Sequence, residues 1–149
     1  MTQLSVTVGG TWATPYSVHV VPEKYAIVEN RSCPNAKEPG LPQDRAEGIC
    51  VVRITKEQSS RFEARMERYK RNAKPLESFS FEDPDLRPDG KPCENEVTDS
   101  KIVSLFWTGS EGRIATFYFG CDHEEFKGFY NAVLAVTDPL PIQGLIKER

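Results

Sequence analysis

The sequence holds few of the residues from which active sites are commonly built. Two histidines, His19 and His123, occur in 149 residues. A histidine-rich metal site is therefore excluded. Neither a G-x-x-x-x-G-K-[ST] loop nor a G-x-G-x-x-G fingerprint is present, so the usual backbone cradles for nucleotide phosphates are missing. Gly109-Ser110-Glu111-Gly112 is no nucleophile elbow, because its serine falls in a turn between two strands. No apolar run approaches the roughly 20 residues of a bilayer-spanning helix. Positive charge is not in excess either. Nineteen basic and 22 acidic side chains leave −3, which excludes wholesale electrostatic capture of nucleic acid. Internal repeats, low-complexity tracts and long linkers are lacking too.

What is there is the material of a core. Two Trp, five Tyr and eight Phe supply the large apolar side chains that disordered chains lack. A chain near this length buries about 68–70% of its unfolded surface. The expectation is one α+β domain over residues 1–149, with no cofactor implied.

The four cysteines are Cys33, Cys50, Cys93 and Cys121. With no C-x-x-C and no Cys/His knuckle, their spacing does not fit structural zinc. Cys33 and Cys50 bound a segment rich in proline and glycine (Pro34, Pro39, Gly40, Pro42, Gly48). Bridging its ends removes unfolded-state entropy worth about 3 kcal/mol. Cys93 lies in a second proline-rich loop, and Cys121 ends an apolar strand. The expected pairing is Cys33–Cys50 and Cys93–Cys121, which implies an oxidising compartment, periplasmic or secreted. The N-terminus MTQLSVTVGG has neither a basic n-region nor an apolar h-region. Either a leader has been removed, or the chain is cytoplasmic with free thiols.

Alternation of apolar and polar residues predicts strands at 4–8 and 16–20, and after a Pro22-Glu23-Lys24 turn residues 25–29 return to complete a hairpin. The β-branched run from Ile49 to Thr55 reads as a central strand. A helix follows over about 56–73, with Phe62, Met66, Tyr69 and Ala73 on one stripe and Pro75 beyond it. Thr55 with Gln58, or Ser60 with Glu63, would start it with a capping box. Ser78 to Phe81 alternates like a short edge strand, and 82–97 reads as a loop. Ile102–Thr108 and Arg113–Phe119 form a hairpin apolar on both faces, which calls for a second covering layer or a homodimer contact. The last helix spans about 122–136, with Asp122 as N-cap, Glu125 at N3, and Phe126, Phe129, Tyr130, Val133 and Leu134 on its inner stripe. Asp138-Pro139 stops it, and Ile142, Leu145 and Ile146 add a short turn. This order predicts an antiparallel sheet of about five to seven strands packed by two helices.

Several motifs have both a chemical and a plain reading. Cys121-Asp122-His123 could be a thiolate at a helix N-terminus with a histidine beside it. The plain reading, a disulfide cysteine before an N-cap, is preferred because residues i and i+2 do not face each other on a helix. His19 is expected to face solvent. Asp83, Asp85, Asp89, Glu94 and Glu96 cluster in the acidic loop 82–99, where an irregular calcium site is an open question. An EF-hand is excluded there, since Pro88 stands where glycine is required. From Lys56 to Lys74 seven basic residues face three acids. This helix could bind an acidic partner, but the preferred reading is that it neutralises the chain's own acidic loop, helped by Glu57–Arg61 and Glu67–Arg71 pairs. Asn30-Arg31-Ser32 is a glycosylation sequon, meaningful in a eukaryotic secretory pathway.

No catalytic residue and no metal site is assigned. The expected function is a non-enzymatic protein-binding module, such as an extracytoplasmic inhibitor or immunity-type protein. Arg61, Arg65, Arg68, Arg71, Trp12 and Trp107 are the candidate contact residues, with Tyr118 as a further contact aromatic, although the core is the preferred place for each aromatic. A protein partner is expected, without nucleic acid and without a membrane span. The alternatives are a thiol-dependent hydrolase using Cys121 and His123, and a cytosolic partner-binding protein with reduced cysteines.

Overall fold

Period-two alternation needs a neighbour on each edge and a cover on the apolar face, and the chain supplies both. A computed structural model of the protein describes residues 3–10, 15–30, 33, 48–76, 86–109 and 111–146. Its strands are β1 (Gln3–Gly9), β2 (Tyr16–Val21), β3 (Tyr25–Asn30), β4 (Ile49–Arg53), β5 (Lys74–Pro75), β6 (Ile102–Thr108) and β7 (Arg113–Tyr118). They form an antiparallel sheet in the order β4-β3-β2-β1-β6-β7-β5. Two main helices, α1 (Lys56–Glu67) and α2 (His123–Leu134), pack on it, and a short α3 (Gln143–Ile146) follows. The α+β architecture expected from the alternation is the one observed.

Register decides which side chains meet. Leu4 lies opposite Val20 and Trp107, Val6 opposite Val18 and Leu105, Val8 opposite Tyr16 and Val103. All are buried, and Ala26, Val28, Ala115 and Phe117 extend the same face. Phe62 and Met66 from α1 and Tyr130 and Val133 from α2 join this core. Tyr69, Phe117 and Phe129 meet edge to face, with centroids 5.3 to 6.0 Å apart. That geometry is worth about 0.5–1.5 kcal/mol per pair beyond area burial.

The other face is polar in the middle, where Ser5, Thr7, Ser17, His19, Ser104 and Thr116 sit in register. Phe106 and Ile114 lie to one side, Ile27 and Val51 to the other. The second apolar side of the β6–β7 hairpin thus belongs to this face, with Ile114 buried, Phe106 half-buried and Ile102 exposed.

Three expectations need correction, and one alternative is decided. β4 stands at the edge of the described sheet, and β1 takes the central place. Consecutive apolar residues Val51 and Val52 mimic a strand paired on both sides, whereas β1 carries serine and threonine outward. α1 ends at Glu67, short of Ala73. Tyr69 leaves helical dihedrals (φ −100°, ψ 0°). A 3-10 turn over Lys70–Asn72 then lets Lys74 and Pro75 pair with Ile114 and Arg113. Pro75 is tolerated there because an edge strand has N–H groups to spare. At the helix start the Thr55–Gln58 capping box forms, and the Ser60–Glu63 alternative does not mark it. Asp122 precedes α2 but makes no side-chain cap, for the reason given below. The expected strand over 78–81 lies outside the described residues.

Asn30 is buried, and its Nδ2 donates to Leu145 O at 2.6 Å, tying β3 to α3. The nitrogen an oligosaccharyltransferase needs is already engaged. Chain made through a eukaryotic secretory pathway should carry no glycan on Asn30; intact-mass spectrometry before and after glycosidase treatment checks this, and a mass loss mapped to Asn30 would contradict it.

Candidate binding surface

The loop between β5 and β6 would have little to hold it without the junction of β7 and α2. Cys121 ends the apolar run of β7, is fully buried, and is bonded to Cys93 with Cα atoms 5.4 Å apart. Cys33 and Cys50 are bonded likewise, 5.7 Å apart at Cα. This is the pairing expected, and no cysteine is left reduced. Oxidised pairs of this kind suit an oxidising environment. Closing the longer loop stabilises by about 3.5 kcal/mol in the chain-entropy model.

Asp122 does the local work beside that bridge. Its backbone is left-handed (φ 45°, ψ 50°), which turns the carboxylate away from the helix start and toward the loop. There it accepts the amides of Glu94 at 3.1 Å and Asn95 at 2.6 Å. Charge-assisted hydrogen bonds are roughly twice as strong as neutral ones. These amides, with Arg87 adding less and burial opposing, hold the carboxyl below its usual range. The peptide bonds knit further: Asp122 N donates to Asn95 O, and Val97 N to Gly120 O, both at 2.8 Å. Tyr118 donates its hydroxyl to Val97 O. Tyr130 donates to Cys121 O at 2.6 Å, and burial raises its pKa to about 12. Gly120 is required at the crossing, because a Cβ would run into Val97 O and the Tyr118 ring.

Arg87 gathers the acids. Its side chain is 12% exposed and reaches Asp89 (3.1 Å), Glu125 (3.0 Å), Asp122 (3.7 Å) and Glu94 (3.8 Å). The guanidinium also lies 4.9 Å over the Phe126 ring. Burial opposes its charge, but Asp89 and Glu125 outweigh that and keep it protonated. Glu125, expected at a capping box, is used here instead. Among the described acids of the loop, Asp89 and Glu94 are paired by Arg87, and no ion pair to α1 is present among the described residues.

On α1, Arg61 pairs with Glu57 at 2.8 Å, and Glu67 takes Lys70 rather than Arg71. Arg65 is half-exposed and is held against the 3-10 turn after α2 by Ala135 O at 2.7 Å and Asp138 at 3.8 Å. Arg68 and Arg71 are exposed, with no ion pair among the described residues. Trp107 is 4% exposed in the core, where its β6 register turns it toward the helices, so it is not a contact residue. Trp12 lies outside the described residues.

The thiol reading fails on the structure: Cys121 sulfur is in the bridge, and His123 Nδ1 donates to Phe119 O at 2.9 Å. His19 is half-buried rather than free in solvent. It is bonded to Ser5 Oγ through Nδ1 at 2.9 Å and lies 3.4 Å from Glu29 through Nε2. Cross-strand pairing of Ser5 with His19 was the signal that sequence reading missed. Ser5 is buried and β1 is paired on both edges, so the β1 amides beside it are already engaged in the sheet. Among the described residues no group of three or more His, Cys, Asp or Glu could hold a metal. Asp83 and Asp85 of the calcium question lie outside them, while Asp89 and Glu94 face Arg87.

A cleft of about 570 Å³ opens between the loop and the start of α2, lined among others by Asn95, Val97, Phe119, His123 and Glu124. No family model matches the chain, and no curated protein matches it in sequence.

Because Asp122 titrates below the usual carboxylate range in the fold, its contribution is present above the unfolded pKa and fades as pH falls through the folded one. The stability gap between native protein and Asp122→Asn should stay constant from neutral pH to about 5 and shrink below about 4. Urea denaturation across pH measures it, and a gap of constant size down to the lowest pH would contradict the assignment.

Proposed function

We propose that the chain is a non-enzymatic protein-binding module of an extracytoplasmic, oxidising compartment, periplasmic or secreted, working as a small inhibitor or immunity-type protein does. The observation that carries this reading is the pinned segment 86–101. It presents Val97, 57% exposed, and Leu86, 40% exposed, among carboxylates, while its backbone is tied to β7 and α2. A loop fixed in advance loses little conformational freedom on association. Apolar groups inside a polar rim are the usual anatomy of a recognition patch. Residues 86–101 and 121–127 carry seven carboxylates against four basic side chains, so the favoured partner surface is basic.

The test uses a benzophenone photocrosslinker in place of Val97, with one in place of Ser60 on α1 as control. In the native extracytoplasmic fraction, position 97 should give one stoichiometric protein adduct that position 60 does not. No adduct, or the same adducts from both, would overturn the proposal.

A further inference from the structure

We propose that two copies of this chain associate about a two-fold axis, the basic C-terminal end of α1 and its following turn in each copy meeting the acidic loop 86–101 of the other. Arg68, Arg71 and Lys74 are exposed and have no ion pair among the described residues. On the acidic side one guanidinium, Arg87, serves four carboxylates, so the cluster keeps a negative balance. Glu94 and Glu124 are exposed there. No described ion pair joins the two regions within one chain, although they border each other: Asn72 Nδ2 donates to Pro88 O at 3.1 Å, where the basic turn meets the start of the loop. Leu76 and Leu86, 45% and 40% exposed, are neighbours in sequence of Lys74 and Arg87. They add exposed apolar surface to the two charged regions.

Adjacent patches of opposite sign are self-complementary under a two-fold, which superposes each on its counterpart and closes the contact at two copies. A second copy is the occupant that fits, because this chain carries both charges that the contact needs. The contact goes beyond the proposed function, and in the dimer it would cover the loop that faces a partner. Exposed charges are screened beyond about 10 Å at 0.1 M salt, so the association is salt-sensitive.

Sedimentation velocity of the full chain tests it. At about 20 mM salt the weight-average mass should climb with concentration from 16.8 kDa toward twice that value, and at about 500 mM it should stay at the monomer. Arg68→Glu with Arg71→Glu, or Glu124→Lys, should each weaken the dimer at least about tenfold, since each reversal turns attraction into repulsion. Mixing the two variants restores complementary contacts and should recover the dimer. Thermal melts confirm that each variant is folded. A monomer at low salt, a dimer indifferent to the reversals, or a mixture that stays monomeric overturns the proposal. A position-97 adduct whose mass is that of two copies of this chain belongs to the dimer and counts against the proposed partner, so either idea can fail alone.

Discussion

Asp122 holds the backbone amides of Glu94 and Asn95 on a buried carboxylate, and the candidate surface depends on that contact. A disulfide fixes one point of a loop and leaves its backbone free to pivot. Two charge-assisted hydrogen bonds beside the bridge remove the pivot, and the Val97–Gly120 pairing extends the restraint by two residues. The left-handed backbone at Asp122 is what makes this geometry reachable. It also starts α2 without an ordinary side-chain cap. Glu125 is then released from capping and becomes a ligand of Arg87.

The fold was readable where one physical rule acted alone. Alternation in β1 and β2 places Val6 and Val18 on one face, and the structure buries both. Thr55 and Gln58 cap α1 as local chemistry demands. The reading went wrong where a distant partner outweighed a local preference. α1 stops early because Tyr69 turns into the Phe117–Phe129 cluster and the chain must reach β7. Strand centrality likewise depends on which strands find each other, which β-branched content alone does not report.

Less of the candidate site was legible. The cysteine pairing followed from loop composition, because proline-rich segments need an external brace. Arg87 drew no attention, since its four carboxylates come from positions 89, 94, 122 and 125 and converge only after Cys121 meets Cys93. The link between His19 and Ser5 has the same origin: 14 residues of sequence separate two groups that the β1–β2 register sets side by side. Arg65 looked like one of a row of surface cations, yet Ala135 O holds it against the 3-10 turn after α2.

Native-state amide hydrogen exchange at Glu94, Asn95 and Val97 tests the central claim most directly, because free loop amides exchange at their intrinsic rates while hydrogen-bonded ones wait for an opening event. The three amides should be protected to the same degree as those of β7 and lose that protection together when Asp122 is replaced by Asn. Exchange at random-coil rates in the oxidised native protein would show that the loop is merely tethered, and the account of a preorganised recognition surface would be wrong.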